Sequence, residues 1–220
     1  MKTSMFIVRA QFFFLVIAPF GIALFLIAFF YGCQQKAPEQ KPVATVTLEN
    51  LQTALNKQVK YQHMYTLFAQ RAEKEHQKNI AHLYRALARA EEIHAADHRR
   101  LIKTLGGEPV TPALDALVIG TTLQTLKMAI SSVEPVVESM YPNLIHTAEL
   151  ENVPDAVKQF KAVKDADARQ LELLKEALNK NMNISKTPYY LCPKCGYVFN
   201  SEGTDKCPNC QVTKEQFEIL

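Results

Sequence analysis

Cysteine spacing constrains this chain more than any other feature. Cys192-Pro193-Lys194-Cys195-Gly196-Tyr197 is followed by Cys207-Pro208-Asn209-Cys210, giving two C-x-x-C pairs close to the C-terminus. A C-x-x-C turn aims both sulfurs at one ion while backbone N–H groups point at them, and Gly196 suits the positive φ that such a knuckle needs. Together Cys192, Cys195, Cys207 and Cys210 can close one tetrahedral four-thiolate site, which both zinc and iron accept. One competing reading is a disulfide within each pair. Such bonds are strained and usually catalytic, and they leave the paired Cys-Pro-x-Cys turns unexplained. The other is a purely structural zinc ribbon.

The 220 residues, 48% of them hydrophobic, are enough to bury a core, and a net charge of +3 without a basic patch points away from nucleic acid as a partner. The N-terminus is a separate matter. No charged residue occurs from Ala10 to Gly32, and the run is long and aromatic enough to cross a bilayer. Lys2 and Arg9 precede it, so the positive-inside rule places the rest of the chain outside the cytoplasm, in a periplasm or at the cell surface. Gly32-Cys33-Gln34 also resembles a lipoprotein cleavage site, although Phe30 and Tyr31 fit that pattern poorly; Cys33 is then the lipidation candidate, the alternative being an unmodified thiol at the membrane edge. The expected divisions are a signal or anchor segment over 1–33, a Pro- and Gln-containing linker over 34–46, a helical body over 47–180, a second linker over 181–187 and a cysteine module over 188–220.

Helical periodicity fills the body. Thr47 is a candidate cap for a first helix with Leu48, Leu51, Leu55, Val59 and Tyr65 on one side, and a break is expected near Lys78. Ile80, Leu83, Leu87, Ile93, Leu101 and Leu105 mark a second helix, stopped by Gly106-Gly107-Glu108-Pro109. A crossover follows over 108–121. A third helix starts at Thr122, perturbed by Pro135 and Pro142, and a fourth runs from about Pro154 to Asn179. Four long helices with one long middle connection suggest a ferritin-like bundle. The segment from Thr47 to Leu55 is echoed by Thr122 to Ile130, which suggests two helical hairpins related by a pseudo-twofold axis.

The second helix carries Glu91-Glu92-Ile93-His94, and residues three apart share a helix face, so Glu91 and His94 can ligate one ion. In this setting the chain resembles the rubrerythrin family from Thr47 to Leu220. The resemblance rests on Tyr65-Thr66-Leu67-Phe68-Ala69, on Ala88 through Ala95, on Met140-Tyr141-Pro142 and on the cysteines. Tyr189-Tyr190-Leu191-Cys192, Gly196-Tyr197-Val198-Phe199 and Phe217-Glu218-Ile219-Leu220 resemble a rubredoxin-like module, whose aromatic residues shield an iron. The resemblance implies a bundle holding two irons that reduce peroxide, electrons delivered by the four-cysteine iron, and pairing of chains through the bundle into a homodimer.

Position by position, the implied di-iron ligands are mostly missing. The first-helix glutamate falls on Gln58. Two third-helix glutamates fall on Val133 and Val136, with Glu134 one place off that face. The fourth-helix E-x-x-H becomes Asp167-Ala168-Arg169-Gln170. Tyr65 and Tyr141 sit where the family keeps tyrosines beside its site. Glu91, His94 and Asp167 remain as ligand types. They hold a single metal with Gln58 or water, or else the site is vestigial and Glu91 and Asp167 pair with cations such as Arg89 or Arg169 or stay solvated. His98, one turn beyond His94, reads as a surface histidine or as a member of a rearranged site.

Three functions are expected to compete. The first is a membrane-tethered redox protein whose four-cysteine iron passes single electrons to an unidentified redox partner. The second is a peroxide reductase using the residual Glu91/His94/Asp167 site, and the third is a zinc-bearing, non-redox interaction module.

Overall fold

The computed structural model describes residues 45–114, 116–200 and 205–220. The anchor segment and Cys33 lie outside these residues. Among the described residues no helix is long and apolar enough to cross a membrane.

Helices α1 (Thr45–Lys74) and α2 (Lys78–Thr104) form one long hairpin. The chain then crosses over to α3 (Thr122–Pro135), a π-helical turn over Val136–Met140, and α4 (Tyr141–Leu150), which together act as one third helix interrupted by the π turn. Helix α5 (Pro154–Asn179) packs along both halves of that third helix and completes a mainly helical four-helix body. The π turn has a chemical cause. Pro135 and Pro142 lack the N–H groups that would continue an α ladder, and the Tyr141 N–H reaches back five residues to the Val136 carbonyl.

Helix α1 starts two residues before the expected cap. Thr47 is buried inside its first turn, and the free N–H groups of Val46 and Thr47 donate to the Glu151 carboxylate at 3.2 and 2.7 Å. A side chain from the end of α4 therefore does the work expected of Thr47. Helix α3 is capped locally: Thr121 Oγ1 accepts from the Gln124 N–H at 3.3 Å, and Gln124 Oε1 accepts from the Thr121 N–H at 2.7 Å. The crossover is pinned to α1 by Gln52, whose side chain pairs with both backbone groups of Val110.

Two apolar clusters fill the body. One includes Tyr65, Phe68, Ile80, Tyr84, Leu87, Leu126 and Leu174; the other includes Leu51, Leu55, Tyr141, Phe160 and Val163. On α1, α2 and α5 the change from one cluster to the other falls near residues 58, 94 and 167, and there the buried side chains become polar.

The segment after α5 is held to the body by Asn79, which donates to the Ile184 carbonyl at 2.7 Å. The cysteine module is a small antiparallel sheet ordered β2-β1-β3, with β1 Tyr190–Leu191, β2 Val198–Phe199 and β3 Glu218–Ile219. Tyr190 faces Phe199 on one side and Ile219 on the other. Tyr189, Leu191 and Val198 belong to the first apolar cluster of the helices, so the module shares the core of the body.

Candidate metal centre and a buried ionic cluster

The two Cys-Pro-x-Cys turns form matching knuckles. In the first, Gly196 N–H donates to the Cys192 carbonyl and Cys192 N–H to the Tyr197 carbonyl; in the second, Gln211 N–H donates to Cys207 and Cys207 N–H to Val212. Gly196 and Gln211 take the left-handed conformation, with φ of +67° and +63°. These turns bring Cys192, Cys195, Cys207 and Cys210 together as free thiols whose sulfurs lie within 4.8 Å of one another. Cys192 Sγ is 3.4 Å from Cys210 Sγ, and Cys195 Sγ is 3.5 Å from Cys207 Sγ. Sulfurs bound at 2.3 Å around a tetrahedral ion are about 3.8 Å apart, so the set is near the size that a metal requires. Donation from Cys192 and Cys195 pulls the Cys207 thiol down to about 4. Tyr197, Val212 and Phe217 pack against the cysteines, while Tyr189 turns away into the helical core.

Inside the body, α2 and α5 bring Glu91, His94 and Asp167 into one cluster, each fully or almost fully buried and with one ligand atom apiece within 4.8 Å of the others. His94 Nε2–H donates to the Cys195 carbonyl at 3.1 Å, so its Nδ1 faces Glu91 and Asp167, at 3.7 and 3.8 Å. One ring thus touches both centres. Among the described residues, neither Glu91 oxygen, nor His94 Nδ1, nor Asp167 Oδ1 has a hydrogen-bond partner.

The group that organises this cluster is Lys57, which the sequence reading passes over. Its side chain is 7% exposed; Nζ pairs with Asp167 Oδ2, donates to Gln58 Oε1 at 3.0 Å and lies 3.6 Å from Glu91 Oε2. Tyr61 presents its ring 4.6 Å from Nζ and Tyr141 at 5.7 Å. Arg89 and Arg169, expected as partners for the carboxylates, instead bind Glu92 and Glu218, and Glu172 and Asn200. They sit on the outer face of their helices, where the module reaches them.

The remaining positions follow the same inner face. Gln58 Nε2 donates to the Tyr141 hydroxyl at 2.7 Å. Val133 and Val136 are buried, whereas Glu134 points outward to Lys175 at 2.5 Å. Gln170 is fully buried, and among the described residues its amide has no hydrogen-bond partner. His98 is not on the surface: it is fully buried, and its Nδ1 accepts from Gln159 at 2.7 Å. A residue four beyond His94 occupies the same inward face, so helix geometry places it there.

Charge and burial set the protonation of the cluster. Burial pushes Glu91 up, but Lys57 and His94 outweigh it and hold its carboxyl below the usual range. Burial lifts Asp167 to about 6 against the pull of Lys57, with Glu91 adding to the rise. For His94 burial favours the neutral ring, yet Glu91 and Asp167 prevail and raise it. His98 has no such anion, and burial drives it well below the ordinary histidine value. Tyr65 and Tyr141 are raised by burial and by the two carboxylates, which keeps both phenols neutral.

Similarity to known proteins matches this layout. The rubrerythrin family model matches residues 49–178. Nigerythrin of Nitratidesulfovibrio vulgaris (strain Hildenborough) is 30% identical over 81% of this chain and 89% of its own. Rubrerythrin-2 of Clostridium acetobutylicum is 29% identical over 71% and 86%. The structure of fully reduced, all-ferrous nigerythrin superposes with a TM-score of 0.73 at 30% identity, covering 79% of this chain and 86% of that one.

Proposed function

We propose from one premise, that the chain belongs to the rubrerythrin family, that it works as a one-electron carrier whose only redox metal is an iron at Cys192, Cys195, Cys207 and Cys210. The observation that carries this reading is Lys57, a fixed ammonium among the side chains where the family would hold metal.

The two sites differ in their fit to iron. Four free thiols within 4.8 Å, shielded by Tyr197, Val212 and Phe217, suit one ion. Iron held by four thiolates supplies a reversible one-electron couple, and the all-ferrous nigerythrin structure shows that a relative of this layout contains iron. The chain's own residues do the rest. The aromatic cover limits water, knuckle N–H groups face the sulfurs, and the His94 bond to the Cys195 carbonyl fixes the module against α2.

The helical cluster does not fit a metal pair. Two divalent ions would bring four positive charges to a pocket with two carboxylates, and Lys57 already neutralises one of them. Gln58, Val133 and Val136 add no anion. Peroxide reduction at Glu91, His94 and Asp167 requires metal there, and the same ammonium stands against it.

Replacing Cys195 with alanine is expected to abolish the visible thiolate bands while far-ultraviolet circular dichroism keeps the helical signal. Retained colour would count against the assignment. The chain is further proposed to be tethered outside the cytoplasm by the charge-free segment Ala10–Gly32. Recovery of the full-length chain in the soluble fraction would remove that part of the reading.

A further inference from the structure

We propose that Lys57 and Asp167 condense into an intramolecular amide, with Glu91 carrying the proton, so that the first and fourth helices become covalently joined through the core.

The three groups the reaction needs are already assembled. Lys57 Nζ is in contact with the Asp167 carboxylate, and Glu91 Oε2 lies 3.6 Å from Nζ. The side chains are 7%, 1% and 0% exposed. Gln58 Oε1, at 3.0 Å, and the Tyr61 ring, at 4.6 Å, hold the amine end in place. Among the described residues the Glu91 oxygens have no hydrogen-bond partner, so Oε2 is open toward Lys57 Nζ, the position from which a proton can be relayed as the new bond forms.

Burial changes the equilibrium as well as the geometry. In water an ammonium and a carboxylate are so well solvated that condensation to an amide is unfavourable. Here both ions have lost that solvation, whereas an amide carries no net charge and costs far less to bury. Holding the partners in contact also removes the entropy cost of bringing them together.

The step balances without an oxidant or an activated donor. The Lys57 Nζ–Asp167 Cγ bond forms and one Asp167 Cγ–O bond breaks. Nζ loses two protons, one of them by way of Glu91, and both leave on the departing oxygen as water. One cation and one anion vanish together, so net charge is unchanged. The nitrogen stays where the ammonium was and continues to occupy the space between Glu91 and Asp167, so the proposed function holds for either form.

The test is peptide mapping by mass spectrometry of the full chain, denatured, reduced and digested with trypsin. The expected result is a branched peptide joining the Lys57 and Asp167 segments, lighter by one water than its parts, with no cleavage after Lys57. Linear peptides alone, with cleavage at Lys57, would overturn the proposal. Glu91→Gln keeps the shape of the site but cannot carry the proton, and it should lower the cross-linked fraction more than about tenfold in freshly made protein. An unchanged fraction would overturn the role of Glu91. Lys57→Arg keeps the charge and serves as the unlinked control; a branched peptide there would show that the linkage lies elsewhere.

Discussion

Relative to the chain before Lys57 and Asp167 condense, Lys57→Ala should cost the helical body about 3–5 kcal/mol in the presence of a chelator, the range for breaking a buried ion pair by removing one partner. The loss follows from what remains. Glu91 and Asp167 stay buried with only His94 to face them, and neither Arg89 nor Arg169 can turn inward without leaving Glu92, Glu218 or Glu172. The same substitution clears space between three orphaned ligand atoms that already lie within 4.8 Å of one another. A divalent ion should therefore rescue the variant: cobalt(II) or manganese(II) should raise its unfolding temperature by several degrees while leaving the parent chain unmoved. A variant as stable as the parent in chelator would show that Lys57 is not the compensating charge. A parent chain that takes up the ion equally well would show that Lys57 does not keep metal out.

Gly196→Ala is expected to disrupt the seating of the cysteine module on the helices, and the second knuckle explains why. Gln211 holds nearly the same positive φ with a full side chain, so the backbone conformation alone is tolerable, at a cost of about 1–2 kcal/mol. What sets Gly196 apart is its neighbour. A Cβ there would lie 2.3 Å from His94 Nε2, 2.7 Å from His94 Cδ2 and 3.1 Å from the Ala90 carbonyl. The His94 ring is fully buried and anchored on α2, so it cannot swing aside. The module must move, and the His94 to Cys195 hydrogen bond goes with it. Tryptic cleavage between residues 181 and 189 should become faster, while the visible spectrum of the four-thiolate metal persists. His94→Ala in the same chain should restore part of the protection, since it removes the obstacle. Cleavage at the parent rate in Gly196→Ala would contradict this account.

Much of this architecture is legible in the residues themselves. The end of α5 at Asn179, the Thr122 start of α3 and the disturbance from Pro135 to Pro142 follow from helix periodicity and proline chemistry. The cysteine spacing announces four converging sulfurs because a short knuckle leaves few other arrangements. Glu91 and His94 share a face because they are three residues apart.

Lys57 is a different case. Asn56-Lys57-Gln58 reads as an ordinary solvated turn, since a lysine rarely lies inside a core. Its signal was indirect: Leu51, Ala54, Gln58, Tyr61 and Tyr65 trace the inner face of α1, and Lys57 falls on the same stripe. The cluster also keeps Glu91 and Asp167 while replacing other expected carboxylates with Gln58, Val133 and Val136, which leaves two buried anions in need of a cation. Spacing within a helix could not reveal which cation, because the contact spans 110 residues. The service of Glu151 to the start of α1 was hidden for the same reason, being a tertiary contact between chain segments 104 residues apart.

The central claim is one redox iron at the cysteines and no metal among Lys57, Glu91, His94 and Asp167. Elemental analysis of the purified chain, joined to visible spectra before and after dithionite, tests it most directly. The account predicts one iron per chain, with thiolate charge-transfer bands that bleach on reduction. Further iron in the helical body, or a colourless chain carrying only zinc, would contradict it.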